Sequence, residues 1–215
     1  MKDLQKIAGI AALYEAAAYI VGIVGFLFVV DISAVVDPIQ KVALLVDNQI
    51  FLSILHLVVY VVWGLFMVVL ALALNDRLKA GSPAMMQIAT VFGIIWASII
   101  IASGMIYNIG IESVAVIFGD NPDQAATVWL AIESIFEGLG GGNEIVGGAW
   151  IFLVSWAGLR FGEFSKALNF LGAVIGVAGF ISAVPGLAGS GLIFGLGQIV
   201  WFVWLAIILL RSSQS

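Results

Sequence analysis

FLSILHLVVYVVWGLFMVVLALAL, residues 51–74, decides the fold, because these 24 residues contain no Asp, Glu, Lys or Arg. An α-helix rises 1.5 Å per residue and a bilayer's hydrocarbon core is ~30 Å thick, so about 20 such residues are enough to cross it. The rest of the chain has the same character: 63% of residues are hydrophobic and 10% charged, with a mean hydropathy of +1.19. A water-soluble domain of 215 residues has too little interior for that much apolar surface, so the medium around most of it is lipid. The fold expected is all-α: one integral membrane helical bundle occupying the whole chain, with no room for a sizeable soluble domain.

Six spans are expected, at 7–30, 51–74, 85–107, 143–159, 167–184 and 192–210. Lys and Arg collect in cytoplasmic loops, which tests both count and direction. Lys2, Lys6, Arg77, Lys79, Arg160, Lys166 and Arg211 all fall on one side and only Lys41 on the other. Removing a span would reverse every later loop and scatter the charges, so the pattern predicts six spans with both termini cytoplasmic. The outer side is acidic: Asp31, Asp37, Asp47, Glu112, Asp120, Asp123, Glu133, Glu137 and Glu144 lie there. The first span follows Lys2 and Lys6, but it is too long for a signal-peptide core and carries Glu15, so it reads as a retained helix.

Two outer segments open with the same helix-start pattern, Asp37-Pro38-Ile39-Gln40 and Asn121-Pro122-Asp123-Gln124. A cap, a first-turn proline and a glutamine at the third position mark amphipathic helices at about 38–47 and 122–137, expected to lie in the outer interface. In the second, Ala125, Val128, Trp129, Ile132, Ile135 and Phe136 form one apolar stripe. Gly138, Gly140, Gly141 and Gly142 then argue for a break before the fourth span, since glycine inside a helix costs roughly 1 kcal/mol per residue against alanine. The repeated caps and the recurrence of Arg77 as Arg160 are open to two readings, an internal duplication or the ordinary likeness of helix starts and inner loops.

Within lipid, helices associate through close packing of small residues. Ala8, Ala12 and Ala16 form such a face in the first span, Gly172 and Gly176 a GxxxG pair in the fifth, and Gly191 and Gly195 another entering the sixth. Tyr107, Trp129 and Trp150 suit the outer interface, and Trp63, Trp96, Trp201 and Trp204 are expected to pack in the interior.

Five polar residues are the candidate binding positions: Glu15, Gln198, His56, Asn143 and Glu144. Glu15 lies eight positions past Ile7, or ~12 Å into the bilayer, and an acidic residue there costs roughly 3 kcal/mol to insert. With Gln198 at similar depth, the pair reads either as a proton or cation site or as a neutral carboxyl group fastening two helices. His56, the only histidine, lies near the outer end of its span, at a depth Asn143 and Glu144 also reach, with Glu133 and Glu137 above. Either these make an outward-facing polar pocket, or Asn143 caps a helix, Glu144 complements its N-terminal dipole and His56 bonds a backbone carbonyl; the second is preferred.

No catalytic residues are expected. One histidine with dispersed carboxylates lacks metal-site spacing, no serine and acid converge on it, and the GLGGG run follows no strand and opens no phosphate-binding helix. The chain has no cysteine, which excludes thiolate metal sites, disulfides and thiol nucleophiles. No cofactor and no metal are expected, and scattered cations exclude a nucleic-acid partner.

The segments KIAGIAALYEAAAYIVGI (6–23), LALALNDRLK (70–79), GAWIFLVSWAGLRFGEFSKALNFLGAVIGVAGF (148–180) and GQIVWFVWLAIILLR (197–211) give the chain a likeness to a known group: it resembles the domain of unknown function 4386 family of prokaryotic membrane proteins. The resemblance covers most of the chain and implies a multi-pass protein of the prokaryotic plasma (inner) membrane, without an established activity, substrate or cofactor. That family places a histidine at the head of the fourth span, where this sequence has Asn143 and Glu144. The function expected is a non-enzymatic accessory subunit or scaffold, with lipid, other membrane subunits or a second copy as partners. The alternative is a small transporter or channel for a proton, cation or lipophilic solute using Glu15 and Gln198, and the third reading is an enzyme acting on a lipid or quinone through His56 and Glu144.

Overall fold

The computed structural model of the chain describes residues 2–212. The expected cytoplasmic placement of the two ends concerns residue 1 and residues 213–215, which lie outside the described residues. Among the described residues the structure is helical throughout, with no strand. Its elements are α1 (Lys2–Val24), a π-helical segment Gly25–Val29, a short 3₁₀ turn Ile32–Ala34, α2 (Pro38–Asp47), α3 (Gln49–His56), a second π-helical segment Leu57–Val62, α4 (Trp63–Leu78), α5 (Pro83–Asp120), α6 (Pro122–Gly140), α7 (Glu144–Phe161), α8 (Lys166–Ser182) and α9 (Ser190–Ser212).

Five stretches are long and apolar enough to cross a membrane: Asp3–Val29, Gln49–Leu78, Pro83–Asp120, Pro122–Phe161 and Ser190–Ser212. Helix α8 is also apolar but has 17 residues, about 26 Å of rise against the ~30 Å core. Outward faces are apolar as well; Leu65, Phe170, Leu192 and Val200 are all more than half exposed. Helices this apolar on every side belong in lipid, and the architecture is that of a membrane-embedded helical bundle.

Caps set the starts of α2 and α6. The Asp37 carboxylate accepts from the Gln40 N–H at 2.8 Å and the Asn121 side chain from the Gln124 N–H at 3.1 Å, each with proline in the first turn. The α6 helix stops at Gly140, and the turn through Gly141 and Asn143 separates it from α7. Helix α5 does not end near Tyr107, as a single membrane crossing would, but continues to Asp120 for 38 residues. That extension gives α6 a protein wall. Ala125, Trp129 and Phe136 of the stripe are buried with Tyr107, Ile111 and Val114 of α5 and Val42 and Leu45 of α2, while Ile135 turns outward, 55% exposed.

The bundle has two apolar cores. The larger joins α1, α4, the first half of α5, α7, α8 and α9; the smaller joins α2, α3, the second half of α5 and α6. Crossing points are made by glycine. A side chain at Gly148 on α7 would begin 2.7 Å from the Gly176 carbonyl oxygen of α8, and one at Gly179 would meet the Glu144 carbonyl at 2.5 Å. The α7–α8 contact is therefore backbone against backbone, the close approach that small residues permit in lipid.

One guanidinium joins the ends of α1, α4 and α9 to the loop between α7 and α8. Arg77 of α4 donates through Nε to Glu163 Oε1 at 2.7 Å and through Nη1 to Gln5 Oε1 of α1 at 3.1 Å and Ser212 Oγ of α9 at 3.0 Å, with its charge 5.0 Å above the Phe164 ring. The pair with Glu163 is partly exposed, at 19% and 37%, so solvent screens it. Replacing Arg77 by Gln is expected to lower stability by about 1–2 kcal/mol, read as an earlier thermal unfolding midpoint in mild detergent; an unchanged midpoint would show that these helix ends need no such tie.

Candidate functional site

Two neighbouring helices of the bundle each contain a π-helical turn. α1 runs into the π-helical turn at Gly25–Val29, and α3 runs into the one at Leu57–Val62. A π-turn leaves some carbonyls out of the regular ladder and swells the helix locally, a device frequent at functional sites. The Tyr14 hydroxyl of α1 donates to the Val58 carbonyl of the second segment at 2.8 Å, which ties the two helices together.

Between these segments lie two cavities of about 350 Å³ and 340 Å³ that share Phe26, Leu27 and Tyr60. The first is apolar, running past Ala18, Gly22, Ile23, Val59 and Ile100 with Trp63 and Asn143 at its wall. The second lies toward the smaller core and mixes aromatic rings with charge: His56, Tyr107, Trp129 and Phe136, together with Lys41, Glu133 and Glu137. Lys41 of α2 and Glu133 of α6 form an ion pair of 2.9 Å, each about a quarter exposed. It links two helices across this chamber.

His56 organises the aromatic part. Its Nδ1 lies 2.8 Å from the Leu52 carbonyl, and since a carbonyl only accepts, Nδ1 carries a proton and donates it to this bond. The imidazole stacks on Tyr107 with centroids 3.3 Å apart and 11° between planes; Tyr60 lies parallel at 5.2 Å, Phe26 at 4.9 Å and Phe136 edge-on at 5.4 Å. Trp129 meets Tyr107 edge to face at 5.3 Å. Helix spacing explains the set: His56 and Tyr60 are four residues apart on one strip, and Tyr107, Trp129 and Phe136 arrive because α6 folds back along α5.

The five residues expected from sequence do not converge. Glu15 and Gln198 are fully buried, but neither lines either cavity, and both oxygens of Glu15 and both polar atoms of Gln198 lack a hydrogen-bond partner among the described residues. They are not hydrogen-bonded to each other. His56 faces the second cavity and Asn143 the first, with Tyr60 common to both. Asn143 occupies the N-cap position of α7 but makes no capping bond there. Instead its Oδ1 accepts from the Trp96 indole N–H at 2.5 Å and its amide donates to the Gly140 carbonyl; a buried indole donor takes the oxygen that a free helix end would have used. Glu144 stands in the first turn of α7 and lies toward Gly191 at the start of α9, lining neither cavity. Phe26, Tyr60 and the Lys41–Glu133 pair were not singled out by sequence, although the four-residue spacing of His56 and Tyr60 was a usable signal.

No cluster of three metal-ligating side chains occurs among the described residues. Compared with known proteins, the chain matches no family model, no curated protein and no solved structure at a significant level.

Proposed function

We propose that this chain is a six-span protein of a prokaryotic plasma membrane, with both ends cytoplasmic, that takes a lipophilic solute into the chamber around Tyr60. The span count adds α8 to the five long stretches and rests on the charge asymmetry of the loops. The Arg77 cluster then marks the cytoplasmic end, and the chamber, reached near the far end of α1, opens in the outer half of the membrane. The helices 38–47 and 122–137 belong to that outer side.

The observation that carries the reading is the pair of cavities sharing Phe26, Leu27 and Tyr60 between two π-helical turns. Their combined form, an apolar arm joined to a ring-lined polar end, suits a molecule with a hydrocarbon part and a compact head; small-molecule sites are concave, mostly apolar and equipped with few polar groups. Glu15 and Gln198 have no part in this mechanism. Among the roles considered for the chain, a carrier or receptor for a lipophilic solute fits better than a scaffold, because a scaffold has no use for a preformed interior space at a widened helix pair.

Gly22 supplies the test. A methyl group placed there would lie 3.7 Å from Phe26 and 3.8 Å from Val59, ordinary contact, so a larger side chain enters the apolar arm without displacing backbone. Binding of a brominated fatty alcohol, read by quenching of tryptophan fluorescence in non-ionic micelles, is expected to weaken at least about fivefold in Gly22→Leu, the loss of roughly 1 kcal/mol or more of contact. Equal quenching in the variant and the parent would show that the alcohol reads the micelle rather than the chamber.

A further inference from the structure

The second cavity offers more than an apolar pocket. Six aromatic rings, those of Phe26, His56, Tyr60, Tyr107, Trp129 and Phe136, surround it, and the faces of Tyr, Trp and Phe carry negative quadrupole charge that attracts a cation within about 6 Å. Three ionic side chains line the same space: Lys41, Glu133 and Glu137. Lys41 and Glu133 neutralise each other in their 2.9 Å pair. The Glu137 carboxyl group, exposed at the edge of the cavity, forms no ion pair and no hydrogen bond among the described residues, so two carboxyl groups share the lining with one cation.

We infer that the chamber binds an amphiphile with an alkylammonium head, the cation held in the aromatic box beside Glu137 and the alkyl chain in the apolar arm along Gly22, Ile23 and Val59. This rests on the lipophilic-solute reading and names its ligand class. An ammonium with methyl or methylene groups suits the site because it is weakly hydrated and gains cation–π attraction from a ring face that borders the cavity. An anionic head would meet an unpaired carboxylate. A neutral head would gain nothing from the charge and little from the rings. The same chemistry exists in free lipophilic cations and in choline-type lipid heads, and the two differ by a phosphate placed next to the ammonium.

The experiment compares four single-chain ligands of equal chain length with the whole protein in non-ionic micelles: dodecyltrimethylammonium, dodecanol, dodecyl sulfate and dodecylphosphocholine, each titrated against intrinsic tryptophan fluorescence. Dodecyltrimethylammonium is expected to bind at least about fivefold more tightly than dodecanol, and dodecyl sulfate most weakly. In Glu137→Gln the preference over dodecanol should fall below about twofold, while Gly22→Leu should weaken both ligands and leave their ratio unchanged. Dodecylphosphocholine binding as tightly as the simple cation assigns the site to a lipid head; binding much more weakly assigns it to a free cation. Dodecanol binding as tightly as the ammonium, or a preference that survives Glu137→Gln, would overturn this inference and leave the lipophilic-solute reading standing. Absence of saturable binding by any of the four would remove both.

Discussion

Gly148→Leu is expected to prevent assembly of α7 against α8 and leave no folded protein in detergent. The first atom of any side chain at Gly148 falls 2.7 Å from the Gly176 carbonyl oxygen and 3.3 Å from the Gly179 Cα. Both are backbone, so the obstruction cannot move by changing a rotamer. In lipid, no hydrophobic gain compensates for parting the helices, because the alternative neighbours are equally apolar. Separation also breaks what leans on this contact, since Gly172 of α8 lies against Ser155 of α7 and the Trp201 indole of α9. Gly148→Ala keeps the clash with a single methyl group and should cost about 1–3 kcal/mol, the usual range for overpacking. Size-exclusion profiles with thermal unfolding of the three proteins would check the series. A monodisperse, fully stable leucine variant would mean that α7 and α8 are not in backbone contact.

The second large effect has the opposite sign. Glu15→Met is expected to stabilise the bundle by about 1–3 kcal/mol, with a correspondingly higher unfolding midpoint. Glu15 is fully buried, and neither carboxyl oxygen has a hydrogen-bond partner among the described residues, so the folded state bears the desolvation of the group without return. Methionine is similar in volume and flexible enough to fill the space. If Glu15 instead fastened α1 to another helix, the variant would lose stability; a midpoint lowered by the substitution would therefore restore that role. Binding of the brominated alcohol should not change, since Glu15 lines neither cavity.

What could be read from the sequence divides along physical lines. Residues 51–74 announced a membrane helix because insertion depends on composition and length alone, and the caps at Asp37 and Asn121 announced α2 and α6 because a cap is a contact between near neighbours. The extent of α5 was less legible. Asn108, Gly110 and Glu112 follow Tyr107 and mark the edge of the apolar run, but no proline stops the helix before Pro122, and a reading based on bilayer thickness ends the element where the lipid does. Of the glycines, Gly172 and Gly176 stood out by spacing, whereas Gly148 and Gly179 do their work by meeting across two helices, which no linear pattern records. The π-helical turn at Leu57–Val62 contains Val58, Val59, Val61 and Val62, β-branched residues that crowd an α-helix; that is a hint rather than a signature. His56 was noticed as a lone polar residue, but apart from Tyr60 its ring partners come from the Gly25–Val29 segment, α5 and α6 and could be found only once the fold was known. Glu15 and Gln198 attracted attention because charge and amide are rare in lipid, and rarity in the sequence did not make them hydrogen-bond partners.

Helix α5 has 38 residues and is therefore about 57 Å long, while the hydrocarbon it crosses is ~30 Å thick and a strong tilt of 40° shortens its reach only to about 44 Å. However the molecule is set in the bilayer, a substantial part of this rod stands among headgroups or in water, braced by α6 along its side. In the six-span arrangement proposed above, the chamber would sit where the rod leaves the oil. A guest with a greasy tail and a wet head would meet there the same change of solvent that it meets at the membrane surface, and could pass from lipid into protein sideways without either of its ends entering the wrong medium.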